Sequence, residues 1–182
     1  MKKLLIVAAM ATAFAGVNAQ AASGGTITFN GDLNANTCDV VVADQAADAT
    51  VTLPSVGTSS LTTAGQVAGE TKFEMALTNC TGSLTTVSAF FENGDTVDSN
   101  GRLLNKATAG AENVVLQLID YTDNEDSGKI INIGSQDQIT TANYATIASG
   151  KAGLSYAVRY YANGETTAGT VTSFVNYNLQ YK

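Results

Sequence analysis

The chain has 182 residues, no histidine, no tryptophan and a formal net charge of -7 at pH 7. The lack of histidine removes the commonest general base and a favoured metal ligand. The acidic balance argues against nucleic acid and against anionic membrane surfaces as partners.

The first residues read as an export signal rather than as part of the fold. Lys2 and Lys3 precede an apolar run over residues 4–15, and the small residues Val17 and Ala19, or Ala19 and Ala21, fit a cleavage site. The other reading, a membrane anchor, needs about 20 apolar residues, and this run is shorter. Cleavage is placed within residues 19–22, so residues 1–22 are assigned to the signal, and the net charge becomes -9 once Lys2 and Lys3 are gone. No later segment is apolar enough to span a membrane, and about 160 residues remain, enough for one domain with a core.

The mature chain opens on GGTITFNGDL, residues 24–33. Ile27, Phe29, Gly31 and Leu33 share one face, and Thr26, Thr28, Asn30 and Asp32 the other. A strand at a chain start is loose unless something pairs with it. It either folds back through a turn at residues 34–37 or docks on another molecule, and periodicity does not choose between the two.

Cys38 and Cys80 come next, an even count in an exported chain, and read as one disulfide. Closing a loop of about 42 residues stabilises by about 4 kcal/mol on the chain-entropy model. Two free buried thiols are the alternative. Two cysteines without histidine make a poor metal site.

Beyond this point the period is two almost everywhere, as strands require. CDVVVA, ATVTLP, TKFEMALTNC (Phe73, Met75, Leu77), SLTTVSAFFENG, NVVLQLIDY (Val114, Leu116, Leu118, with Val115 and Ile119 partly covering the other face) and GLSYAVRYYANG (Leu154, Tyr156, Val158, Tyr160) are the strand candidates. Asn93-Gly94, Asn100-Gly101 and Asn163-Gly164 offer the positive φ of tight hairpins. SSLTTAGQVAG reads as a loop, and residues 123–129 as a charged loop that lacks calcium-loop spacing. Many short strands separated by turns predict an all-β sandwich.

GTVTSFVNYNLQYK, the last stretch, reads as the longest regular strand. Gly169, Val171, Ser173, Val175, Tyr177, Leu179 and Tyr181 share a face, and Phe174 breaks the polar one. A run of that length spans about 40 Å. A long apolar edge at a chain end is an aggregation hazard unless it is paired. The opening strand of one copy docking beside the closing strand of another would satisfy both ends. Such a head-to-tail contact does not close, so it builds a filament. The tyrosines of the last two strand candidates read as ordinary packing rather than as a binding surface.

GGTITFNGDLNANTC and VNYNLQYK resemble the structural pilins of the chaperone–usher pathway, in particular the type 1 fimbrial major subunits. The shared features are the export signal, a short alternating extension with glycine near its end, and two cysteines about forty residues apart. A glycine fourteen residues from the C-terminus (Gly169) and a penultimate tyrosine (Tyr181) complete the pattern. The resemblance implies an incomplete immunoglobulin-like (pilin) β-sandwich completed by donor-strand addition. It implies a signal peptide at 1–22, a donor extension at 23–33 and a sandwich domain at 34–182. Ile27, Phe29, Gly31 and Leu33 would be the donor residues. Gly169, Val171, Val175, Tyr177, Leu179 and Tyr181 would line the acceptor groove and meet the chaperone. The implied partners are neighbouring pilin subunits, a periplasmic chaperone and an outer-membrane usher, and the implied destination is a fimbrium on the cell surface. No cofactor, metal or reaction is implied. The competing functional reading is a self-contained secreted sandwich that binds a ligand, or a minor adhesin.

Overall fold

The computed structural model describes residues 26–123 and 126–182. The export signal, residues 23–25 of the extension, and Glu125 of the charged loop lie outside the described residues. The chain divides between Leu33 and Asn34, and residues 34–182 make up the larger compact unit. No helix among the described residues is long and apolar enough to cross a membrane.

This unit is all-β. β1 (Thr37–Val42), β2 (Val67–Thr81), β8 (Ala152–Ala162), β5 (Val114–Asp120) and β4 (Leu103–Leu104) lie side by side in that order, and β6 (Lys129–Ile130) also pairs with β5. The second sheet has the order β7 (Ala145–Thr146), β3 (Thr86–Phe91), β9 (Tyr177–Tyr181). Every pairing is antiparallel. One helical turn, α1 (Asp137–Thr140), packs near β3.

Alternation puts the apolar faces together. Met75 and Leu77 of β2, Val87, Ala89 and Phe91 of β3, Leu116 and Leu118 of β5 and Leu154, Tyr156 and Val158 of β8 form the core between the sheets. Tyr156 sits at its centre. Its ring meets Phe91 edge-on at 5.2 Å, and its hydroxyl accepts the Ala89 N–H at 3.2 Å. Burial pushes the Tyr156 phenol up to about 12. Cys38 and Cys80 are bonded, tying β1 to β2.

Several expectations change in the folded chain. All seven residues of β5 are buried rather than one face of it. Gly128 lies against Ile119 on its outer face, where a Cβ would sit 2.4 Å from the Ile119 methyl. The strand expected over ATVTLP does not form. Val51 and Leu53 turn inward and Thr52 outward, but no neighbouring backbone completes a ladder. The loop expected through residue 69 ends early, because β2 starts at Val67. Its register slips between Ala68 and Thr71, where Gly69 takes φ 64. Of the three Asn-Gly pairs, only Gly101 has positive φ. Asn163 instead extends the sheet by donating to the Asn113 carbonyl at 2.8 Å.

The closing stretch is not one long strand. Residues 177–181 pair with β3, whereas Thr170 and Thr172 accept from Ala111 and Lys106, at 3.0 and 2.7 Å. The inward–outward alternation runs from 171 to 179 all the same, but the backbone changes partner along the way. The longest strand is β2, with 15 residues.

Candidate functional site

The two sheets leave one side of the sandwich open. β1 ends the first sheet and β9 ends the second, so each has one paired edge and one unpaired edge. Main-chain bonds identify the unpaired groups. Thr86 and Lys182 exchange both bonds at 3.0 Å, and Glu92 donates to the Asn176 carbonyl at 2.8 Å. Antiparallel alternation therefore directs the N–H and C=O of Val175, Tyr177, Leu179 and Tyr181 away from β3. On β1, Ala43 donates to the Glu74 carbonyl at 2.8 Å. The same alternation turns Cys38, Val40 and Val42 to the open side.

Between these edges runs a groove of about 920 Å³. Its apolar floor includes Met75, Leu116, Leu118 and Val158, and its walls are Cys38, Val40 and Val42 on one side and Val175, Tyr177 and Leu179 on the other. Both walls thus carry main-chain donors and acceptors above an apolar base. That combination suits an extended peptide, with its backbone on the edges and alternate side chains pointing down.

The residues expected at the site divide into three sets. Cys38, Val175, Tyr177 and Leu179 line the groove. Tyr181 is half-buried and packs against the core just beyond the groove lining. Gly169 and Val171 lie off the groove lining. Gly169 passes so close to residues 110–111 that a Cβ there would sit 2.5 Å from the Ala111 nitrogen. Val171 packs against the core. Burial raises the phenol pKa of both Tyr177 and Tyr181; the Asp48 carboxylate adds to the rise at Tyr177, and the Cys38 backbone offsets it at Tyr181.

Residues 26–33 contain no strand. Ile27, Phe29 and Leu33 are 77%, 87% and 104% exposed, and nothing lies within 4 Å of where a Gly31 Cβ would be. The fold-back hairpin is absent from the described residues.

Sequence reasoning missed two parts of this region. Asn36 is buried at the start of the domain. Its side chain accepts from the Ser83 and Leu84 N–H groups at 3.2 and 3.3 Å and donates to the Leu84 carbonyl at 3.0 Å. Gly82, at φ 111, leaves room for it. The second part is the segment 47–53, which borders the groove. The alternation of Val51 and Leu53 was its only signal. Among the described residues, no group of three or more His, Cys, Asp or Glu side chains is arranged to hold a metal.

Comparison with known proteins returns consistent matches. The family model for FimA, type-1 fimbrial protein A, matches residues 53–182. The major fimbrial subunit SMF-1 of Stenotrophomonas maltophilia is 42% identical over 88% of this chain and 94% of its own. The F17 fimbrial protein of Escherichia coli is 36% identical over the full length of both chains. A type I fimbria protein and antigen of Burkholderia pseudomallei superposes with a TM-score of 0.52 at 28% identity, over 81% of this chain and 97% of that one. A chaperone–usher pilus structure has the same fold, with a TM-score of 0.58 at 19% identity over 89% and 98% of the two chains.

Proposed function

This chain belongs to the type-1 fimbrial protein family, and we propose from that premise that its open groove receives the N-terminal extension of another copy. It is a structural subunit of a surface fimbrium, and its family is one of structural fimbrial subunits rather than enzymes. Residues 1–22 act as the export signal, 23–33 as the donor extension and 34–182 as the acceptor sandwich. Ile27, Phe29 and Leu33 seat in the groove. Gly31 is the position of the extension that brings no side chain to the floor. Val175, Tyr177, Leu179 and Tyr181 supply one wall, and Gly169 and Val171 hold the segment leading to it.

The observation that carries this reading is the pair of facing unpaired edges over an apolar floor, in a chain that also exposes a seven-residue alternating segment. The lengths agree. Residues 27–33 and 175–181 each span about 20 Å as strands. Burying three large side chains contributes about 5–8 kcal/mol before main-chain bonds are counted. A periplasmic chaperone supplies a temporary strand to the same groove, and an outer-membrane usher exchanges it for the next subunit's extension. The groove is open at a sheet edge, which disfavours a self-contained binding module.

The test is assembly in cells that supply chaperone and usher. Deleting residues 23–33, or replacing Phe29→Asp, should abolish incorporation behind another subunit while the domain still accepts a wild-type extension. Fibres of normal length from either variant would reject the proposal.

A further inference from the structure

The groove is not fully open, and the residues that obstruct it form one device. Val42 belongs to the unpaired edge of β1, yet both of its main-chain groups are already engaged. Its N–H donates to the Ala46 carbonyl at 3.1 Å, and its carbonyl accepts from Gln45 at 2.9 Å. The chain turns back sharply there because Ala43 and Asp44, neither of them glycine, take φ of 48 and 57. Two consecutive left-handed residues are strained, and such strain persists only where surrounding bonds hold it. Three further bonds do so. The Gln45 side chain donates to the Thr50 carbonyl at 2.9 Å and accepts the Thr50 N–H at 3.2 Å. From the opposite wall, the Tyr177 hydroxyl donates to the Ala47 carbonyl at 3.0 Å.

We propose that residues 43–50 and Tyr177 form a latch across one end of the groove, which an incoming strand must open before it pairs along the whole of β1. This rests on the reading of the groove as a strand acceptor. The loop occupies the main-chain positions at Val42 that a docking strand requires, so the closed latch and a fully seated strand exclude each other. The apolar ring of Tyr177 stays part of the wall in either state, and only its hydroxyl is committed to the closed one. Burial and the Asp48 carboxylate keep that phenol protonated well into alkaline solution, so it remains a donor at physiological pH. When the binding-competent state is a minor population, apparent affinity and uptake fall by that fraction.

The test uses the refolded mature chain and an excess of a fluorescent synthetic peptide of residues 24–34, with uptake followed by anisotropy. Tyr177→Phe removes the hydroxyl and keeps the ring, and should speed uptake about two- to tenfold, the scale of one net hydrogen bond. Gln45→Ala loosens the loop from its exposed side and should act in the same direction. The double variant should gain less than the product of the two, since both open one device. Thermal melts supply a second readout. Tyr177→Phe should lower the melting temperature of the free chain and leave that of the peptide-loaded chain unchanged, whereas a purely structural bond would lower both. Uptake at the wild-type rate or slower in folded Gln45→Ala and Tyr177→Phe chains overturns the latch. Absence of uptake by every variant and by the wild type overturns the groove reading instead.

Discussion

Single residues in this chain carry more than their place in the alternation. Asp120 ends β5 at 5% exposure, and its carboxylate accepts the Thr122 N–H at 2.9 Å. Burial raises its pKa in spite of that bond. The unfolded chain therefore gives up this proton more readily than the folded one. The stability contributed by Asp120 is full below the ordinary carboxylate range and is lost as pH rises through its raised folded value. Asp120→Asn keeps an acceptor for Thr122 and removes the buried charge, so it should raise the melting temperature at pH 7 and flatten its decline from acid to neutral pH. Melts of both proteins between pH 3 and 8 decide this, and an unchanged slope would refute it. Nothing in the sequence marked Asp120 out, because a carboxylate after a strand usually faces water. In the folded chain it lines a cavity of about 130 Å³ together with Ser88, Tyr156 and residues 129–132.

At the scale of elements, the C-terminal segment shows what periodicity can and cannot say. Its alternating side chains were legible, and they do alternate between half-buried and exposed. Which backbone they lie against was not legible, because side-chain period carries no information about ladder partners. The segment leans first on residues 105–111 and then on β3. Gly169 belongs to the first contact. A methyl group there would meet the backbone of residues 110–111 at 2.5–3.0 Å, and backbone cannot rotate away. Gly169→Ala should destabilise the domain by about 1–3 kcal/mol, read as a lower denaturant midpoint. It should leave the affinity for the extension peptide unchanged, because the groove begins farther along the chain. ATVTLP teaches the complementary lesson. Its pattern is that of a strand, but a strand also needs a partner, and among the described residues none pairs with it.

For the whole molecule, the governing fact is that two sheet edges face each other with no strand between them among the described residues. A domain in this state gains stability from any strand that binds the folded form alone. The 24–34 peptide at 100 times its dissociation constant should therefore add about 2.7 kcal/mol. Calorimetry over a peptide titration would show the melting temperature climbing with concentration, and a flat response would contradict an open acceptor.

By itself the amino-acid order determined the β character, the inward faces of β2 and β8, and the amphipathic ends, because all of these arise from a period of two acting one residue at a time. It also carried the resemblance that named the family. Only the tertiary structure decided that β1 and β9 end on the same side of the sandwich with unpaired backbone toward each other. It alone placed Gly169 and Val171 away from the groove, and it alone drew residues 43–50 across one end. The physical reason is that a ladder is a relation between distant segments. Main-chain groups are the same at every residue, so which of them remain unpaired is settled only when the chain has folded.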